Sequence, residues 1–256
     1  MNHPYWVAFY TILSKEIRRF TRIWVQTLLP PAITMVLYFI IFGNLIGNRI
    51  GSMDGVDYMQ YIVPGLIMMS VITNSYGNVS SSFFSNKFQK SIEELLVSPV
   101  PNWVIMLGFV FGGVARGLAC GIIVMLLSLW FTHLEVHNLF VMLSVILLTA
   151  VVFATAGLIN AIFATKFDDV TIVPTFILTP LTYLGGVFYS VSMLPEVWQW
   201  VSKLNPILYM VNTFRYGIIG VSDIPVVSAY GMLFVFLAAL MGWALYLLNT
   251  GRGLRS

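Results

Sequence analysis

Few side chains in this sequence carry chemistry of their own, and their spacing limits what they could do. His133, Glu135 and His137 stand close together, and two imidazoles four residues apart could share a metal ion. No fourth ligand stands nearby, so the segment reads as a short polar turn. Asp168 and Asp169 form a carboxylate pair that could hold a divalent cation. They directly precede an apolar run, and a helix N-cap that complements the helix dipole explains them more simply. Arg116, in Gly112-Gly113-Val114-Ala115-Arg116-Gly117, is the one ionised side chain inside an apolar stretch. It either snorkels to the headgroups or pairs within the protein, with direct contact to a substrate as the alternative. The surrounding glycines permit close helix packing. Asn44, Asn74, Asn78 and Asn160 could line a polar route or bond between helices.

What is missing discriminates further. The sequence has no G-x-x-x-x-G-K-[ST] phosphate loop, no G-x-S-x-G elbow and no H-E-x-x-H helix. Its apolar stretches hold no Asp, Glu or His, the groups that ion-coupled carriers and intramembrane enzymes use. No catalytic, cofactor-binding or metal-ligating residue is expected. Work done by this chain must therefore come from a partner. The segment placed to receive that work is residues 86–99. Phe88, Ile92 and Leu95 or Leu96 fall at helical steps, and Lys90 and Glu94 form an i, i+4 pair. Glu93 adds a second acid, and Pro99 and Pro101 end the helix. Such a rod could transmit a push from a cytosolic domain; a solvated connecting helix is the alternative.

The elements that must position these residues follow from composition. Of 256 residues, 59% are apolar and 9% charged, against roughly a quarter charged in soluble domains. That excludes a soluble enzyme, a disordered chain and a nucleic-acid binder. A membrane span needs ~20 apolar residues, and six stretches qualify: about 24–46, 58–84, 103–131, 139–164, 171–189 and 229–249. The expected fold is thus an all-α membrane protein of one transmembrane domain. Before the first span, Trp6, Phe9, Leu13, Ile17 and Phe20 recur at steps of three or four, with Lys15, Arg18, Arg19 and Arg22 opposite. Residues 4–22 therefore read as an amphipathic helix lying in an anionic interface, or as a simple juxtamembrane basic segment. Residues 190–228 are too polar to span and rich in Trp, Leu and Ile, as in short helices dipping into one face of the bilayer.

Orientation follows the cations. Nine fall on the side of both termini (Lys15, Arg18, Arg19, Arg22, Lys87, Lys90, Lys166, Arg252, Arg255), and three on the other (Arg49, Lys203, Arg215). Both termini are therefore expected in the cytoplasm. The single cysteine, Cys120, excludes an intrachain disulfide. Ile62-Val63-Pro64 and Ile172-Val173-Pro174 open the second and fifth spans, either as an inverted repeat or because Pro favours helix starts.

Gly185-Gly186-Val187-Phe188-Tyr189-Ser190, Leu194-Pro195, Asn205-Pro206-Ile207-Leu208-Tyr209 and Arg215-Tyr216-Gly217 together resemble the signature of ABC-2-type transport permeases. Ten residues separate Pro195 from Pro206 and five separate Tyr209 from Arg215, as in that family. The resemblance extends to the Glu93-Glu94-Leu95-Leu96-Val97-Ser98-Pro99 loop, to Gly112–Gly117 and to the basic N-terminal helix. It implies a six-span, homodimeric permease subunit of an exporter in a bacterial inner membrane. A separate cytosolic ATPase would hold the ATP and Mg, docking on residues 86–99 and on the N-terminal helix. Residues 192–215 would cap the exit, spans two and five would line the pathway, and Val187 and Phe188 would lie near its apolar plug. Lipid and a second copy are the other implied partners. A non-transporting scaffold and a lipid-modifying enzyme are the rival readings, and the substrate is not legible.

Overall fold

The computed structural model of the chain describes residues 4–254, apart from the side chains of Asn44 and Asn48. Helix α1 is Pro4–Arg22, and α2 runs Trp24–Gly47, its last turns Phe39–Gly47 wound as a π-helix. A hairpin of Ser52–Met53 and Val56–Asp57 leads into α3, Tyr58–Phe88, and then the short α4, Ser91–Val97. Next come α5, Asn102–Ser128, and α6, Leu139–Phe163. Helix α7 begins as Phe167–Val173, passes through a π-wound Pro174–Leu178 and ends as Thr179–Tyr183. A 3-10 turn Val191–Met193 precedes α8, Glu196–Lys203, α9, Pro206–Ile219, and α10, Val226–Thr250.

Four of these helices, α2, α5, α6 and α10, are long and apolar enough to cross a membrane. Helix α3 is longer but carries Asn74, Asn78, Asn86 and six serines, which lower its hydropathy. It can afford them because it is the central post, with 22 of its 31 residues buried. Helix α7 is interrupted: Pro174 and Pro180 supply no N–H, so the backbone ladder is rearranged around them. It stops at Tyr183, short of the expected end at 189, because Gly186 turns the chain with φ +69°.

Two apolar cores flank the post at different depths. One gathers the first half of α3 with Val141, Met142 and Val145 of α6, Ile207 to Ile218 of α9, and Val187. The other gathers the second half of α3 with Ile12, Ile92, Phe109, Val110, Leu158 and Leu247. Between them lies a belt of buried polar side chains on α3, including Ser70, Asn74, Ser75 and Asn78. The α5–α6 turn is tied to the end of α9, since His137 N and Asn138 N donate to the carbonyls of Ile218 (3.0 Å) and Gly217 (2.8 Å). Asn138 also caps α6, its side chain accepting from Val141 N at 3.1 Å. Asn138→Ala is expected to lower stability by about 1 kcal/mol, read as a reduced unfolding temperature in detergent.

Candidate functional site

Residues 86–99 do not form one rod. Lys90 sits in the left-handed region with φ +60°, which ends α3 and lets α4 start in a new direction. Phe88 is therefore on α3, off any ridge shared with Ile92, Leu95 and Leu96. Lys90 and Glu94, expected as a pair, form no ion pair among the described residues, because that break takes Lys90 out of the helix. What holds α4 is Ile92, fully buried, with Leu95 and Leu96 half-buried beside it. Phe88 is 61% and Val97 87% exposed, and Glu93 and Glu94 are exposed in the first turn, where carboxylates complement the helix dipole. Open cavities of about 350 and 470 Å³ lie on either side of α4. Glu93 lines both, with Phe84, Phe88 and Thr165 in the first and Val97, Asn102 and Asn249 in the second.

Helix α1 does more than lie on a surface. Its face of Ile12, Glu16 and Phe20 is buried. Gly108 and Gly112 of α5 admit this face: a Cβ on Gly108 would stand 2.6 Å from the Ile12 side chain, and one on Gly112 2.5 Å from that of Glu16. Trp6 and Tyr10 stay exposed on the apolar flank, and Arg18 and Arg22 on the basic one. Lys15 and Arg19 instead turn onto α3. Lys15 Nζ donates to Asn86 Oδ1 at 2.8 Å, Ser82 Oγ to Glu16 Oε1 at 2.7 Å, and Arg19 Nη2 to Asn78 Oδ1 at 2.7 Å. Arg19 also pairs with Glu16 at 3.2 Å. Their partners Asn78, Ser82 and Asn86 are spaced by four on one face of α3, so three bonds line up along it. Asn86 passes the connection on, accepting from Ser91 Oγ of α4 at 3.1 Å. Glu16, whose partners are Ser82 on α3 and Arg19 on its own helix, was missed in the sequence; the spacing by four of Asn78, Ser82 and Asn86 was the available signal.

Other candidates find local partners. Arg116 Nη2 donates to Asn74 Oδ1 at 3.3 Å and to the Thr27 carbonyl at 3.4 Å, joining α5 to α3 and α2. Asn160 Nδ2 donates to the Val170 carbonyl at 3.1 Å, while the side chain of Asn44 lies outside the described residues. Asp169 accepts from Thr165 Oγ1 (2.7 Å), Thr165 N (2.8 Å) and Lys166 N (3.0 Å) at the start of α7. The Thr165 hydroxyl, then those backbone N–H groups, hold its carboxyl below the usual range. Among the described residues no group of three His, Cys, Asp or Glu is placed to hold a metal. The His137 ring meets Tyr216 edge-on at 5.2 Å, and the His133 carbonyl accepts from Gln60.

Val187 and Phe188 part company. Val187 is fully buried against Gly65, where a Cβ would come within 2.8 Å of the Val187 carbonyl oxygen. Phe188 joins an aromatic cluster, 4.6 Å from Phe42, 5.9 Å from Tyr38 and 6.0 Å from Tyr183 between ring centres. The cluster joins the end of α2 to the end of α7, and Tyr58 Oη fixes the Phe188 carbonyl at 3.1 Å. One strip of α3 escapes burial: Met69, Thr73, Gly77, Ser81 and Ser85, again every fourth residue, with Thr73 and Ser81 exposed. A small, hydroxyl-bearing strip on an otherwise buried membrane helix is a surface suited to water, a polar solute or a second protein chain.

Comparison with known proteins adds to this geometry. The sequence pattern of the family described as ABC-2 type transporter matches residues 7–219. Over 258 aligned residues, covering all of both chains, the sequence is 61% identical to the inner membrane transport permease YadH of Escherichia coli (strain K12). It is also 24% identical to nodulation protein J of Rhizobium meliloti (strain 1021) over 186 residues, 72% of this chain and 71% of that one.

Proposed function

The chain belongs to the ABC-2 type transporter family, and on that premise we propose that it is the membrane permease subunit of an ATP-driven exporter, powered by a separate cytosolic ATPase. The observation that carries this reading is α4. It is pinned to the body by one fully buried residue, Ile92, while Phe88, Glu93, Glu94 and Val97 face outward between two open cavities. Through Asn86 it also bonds to α3 and α1, so a load applied to α4 reaches the central post directly.

In this reading six segments span the inner membrane, α2, α3, α5, α6, α7 with its following turn, and α10, with both termini in the cytoplasm. Two copies meet with the Thr73–Ser81 strip of α3 and α7 toward the shared axis, and the Tyr38–Phe42–Tyr183–Phe188 cluster closes the outer end. ATP and Mg, held by the partner, favour the state in which the ATPases come together. That differential affinity drives the spans between inward- and outward-open arrangements. This chain's residues receive force and gate the route; none makes or breaks a covalent bond.

Phe88→Ala with Glu93→Arg changes two mostly exposed side chains, and Phe88 gives up ring contacts with Phe167 (5.1 Å) and Phe84 (6.1 Å). We expect at most a small fall in unfolding temperature in detergent and at least about tenfold weaker capture of the ATPase encoded beside the permease, on coexpression and affinity purification. Unchanged capture would remove α4 from the docking surface, and a native chain that captures no ATPase would favour the non-transporting scaffold.

A further inference from the structure

Arg215 heads the fully buried side chains of this protein in size, yet among the described residues it forms no ion pair. A buried guanidinium needs its donors satisfied, and here backbone oxygens do most of that. Nε donates to the Tyr61 carbonyl of α3 at 3.1 Å and Nη2 to the Gly186 carbonyl at 2.6 Å. The guanidinium carbon lies 3.8 Å from the centre of the Tyr61 ring, adding a cation–π contact. Nη1 reaches Asn212 Oδ1 at 3.5 Å, and that same oxygen accepts from Asp223 N at 3.0 Å. The Asp223 carboxylate then accepts from Ser190 Oγ at 2.8 Å and from Val191 N at 3.3 Å.

These bonds bracket one short segment. Arg215 holds it at Gly186, Asp223 holds it at Ser190 and Val191, and Asn212 links the two holders. Between the anchors lie Val187, Phe188 and Tyr189. Gly186 is the φ +69° turn that breaks the chain away from α7, so backbone that no helix supports is fixed from the side by α9 and the loop after it. We propose that Arg215, Asn212 and Asp223 are positioning residues that clamp segment 186–191 in its closed arrangement, so that the outer gate opens only when α9 shifts relative to α3. The proposal rests on reading Val187 and Phe188 as part of that gate.

The fork geometry of arginine matters more here than its charge. Lysine keeps the charge but offers one ammonium point, which cannot span two carbonyls on different elements. The test uses the full-length permease in detergent-free lipid nanodiscs, without ATPase or nucleotide. The single native cysteine is removed as Cys120→Ala, and Val187→Cys becomes a near-isosteric reporter at a fully buried position. A membrane-impermeant maleimide should label it slowly. Arg215→Lys should raise the labelling rate about tenfold, the effect of losing one charge-assisted hydrogen bond, and Asp223→Asn should raise it in the same direction. A folded, monodisperse Arg215→Lys protein with unchanged labelling overturns the clamp, because charge alone then suffices. Should Arg215→Lys fail to fold, Asp223→Asn decides, and its unchanged labelling overturns the proposal equally. Since the assay needs no transport, a labelling increase without any ATP-driven export would leave the clamp standing and sink the exporter reading alone.

Discussion

Ile92→Asp is expected to leave the membrane helices folded and to abolish ATP-driven activity, with a loss of at least about a hundredfold in substrate-stimulated ATP turnover of the reconstituted complex. Ile92 is fully buried in the same core as Phe84, Phe109 and Ile162, and it is the one residue of α4 that is. An ionised carboxylate at that position cannot stay buried without a partner, so the short helix must lift off rather than pull charge into the core. Seven residues of helix have little stability of their own. In the proposed mechanism a detached α4 would no longer deliver load to Asn86 and α3. Two measurements separate this outcome from general unfolding: the unfolding temperature of the spans should change little, while limited proteolysis should cut between Phe88 and Pro99 much faster than in the native protein. Retained ATP-driven turnover in a protein whose loop has become cleavable would remove α4 from the coupling path.

Gly157→Ala should be among the most damaging single-carbon additions to the molecule. A Cβ there would stand 2.4 Å from the Tyr76 carbonyl oxygen and 3.2 Å from its Cα, and both are backbone atoms of α3 that no rotamer change can move. Helices α3 and α6 would have to separate. Overpacking costs about 1–3 kcal/mol, and a rigid neighbour puts this site at the upper end. Gly231→Ala and Gly242→Ala are the controls. Both lie in α10 with nothing within 4 Å of a new Cβ, so both should be neutral or stabilise by up to about 1 kcal/mol. Unfolding temperatures in one detergent compare all three. Equal values for Gly157→Ala and Gly242→Ala would mean that the α3–α6 contact is far looser than this packing.

The amino-acid sequence alone determined the class of molecule and its helical segments. Long uncharged runs can be stable only in hydrocarbon, and starts such as Asn138 and Asn205-Pro206 are set by bonds within a few residues. The family motif was legible for the same local reasons. Only the tertiary structure decided which face of each apolar helix meets protein, because lipid and protein interior are equally apolar and leave no periodic contrast to read. So α3, less hydropathic than its neighbours, proved to be the buried centre. The basic face of α1 proved to be split, with Lys15 and Arg19 bonded to α3 and Arg18 and Arg22 exposed. Arg215, counted among the outer-side cations, proved to be wholly enclosed. Lys90 shows the smallest version of the rule: the spacing around it is helical, yet its backbone is left-handed and Ile92 just beyond it is fully buried, which no pattern of neighbours along the chain encodes.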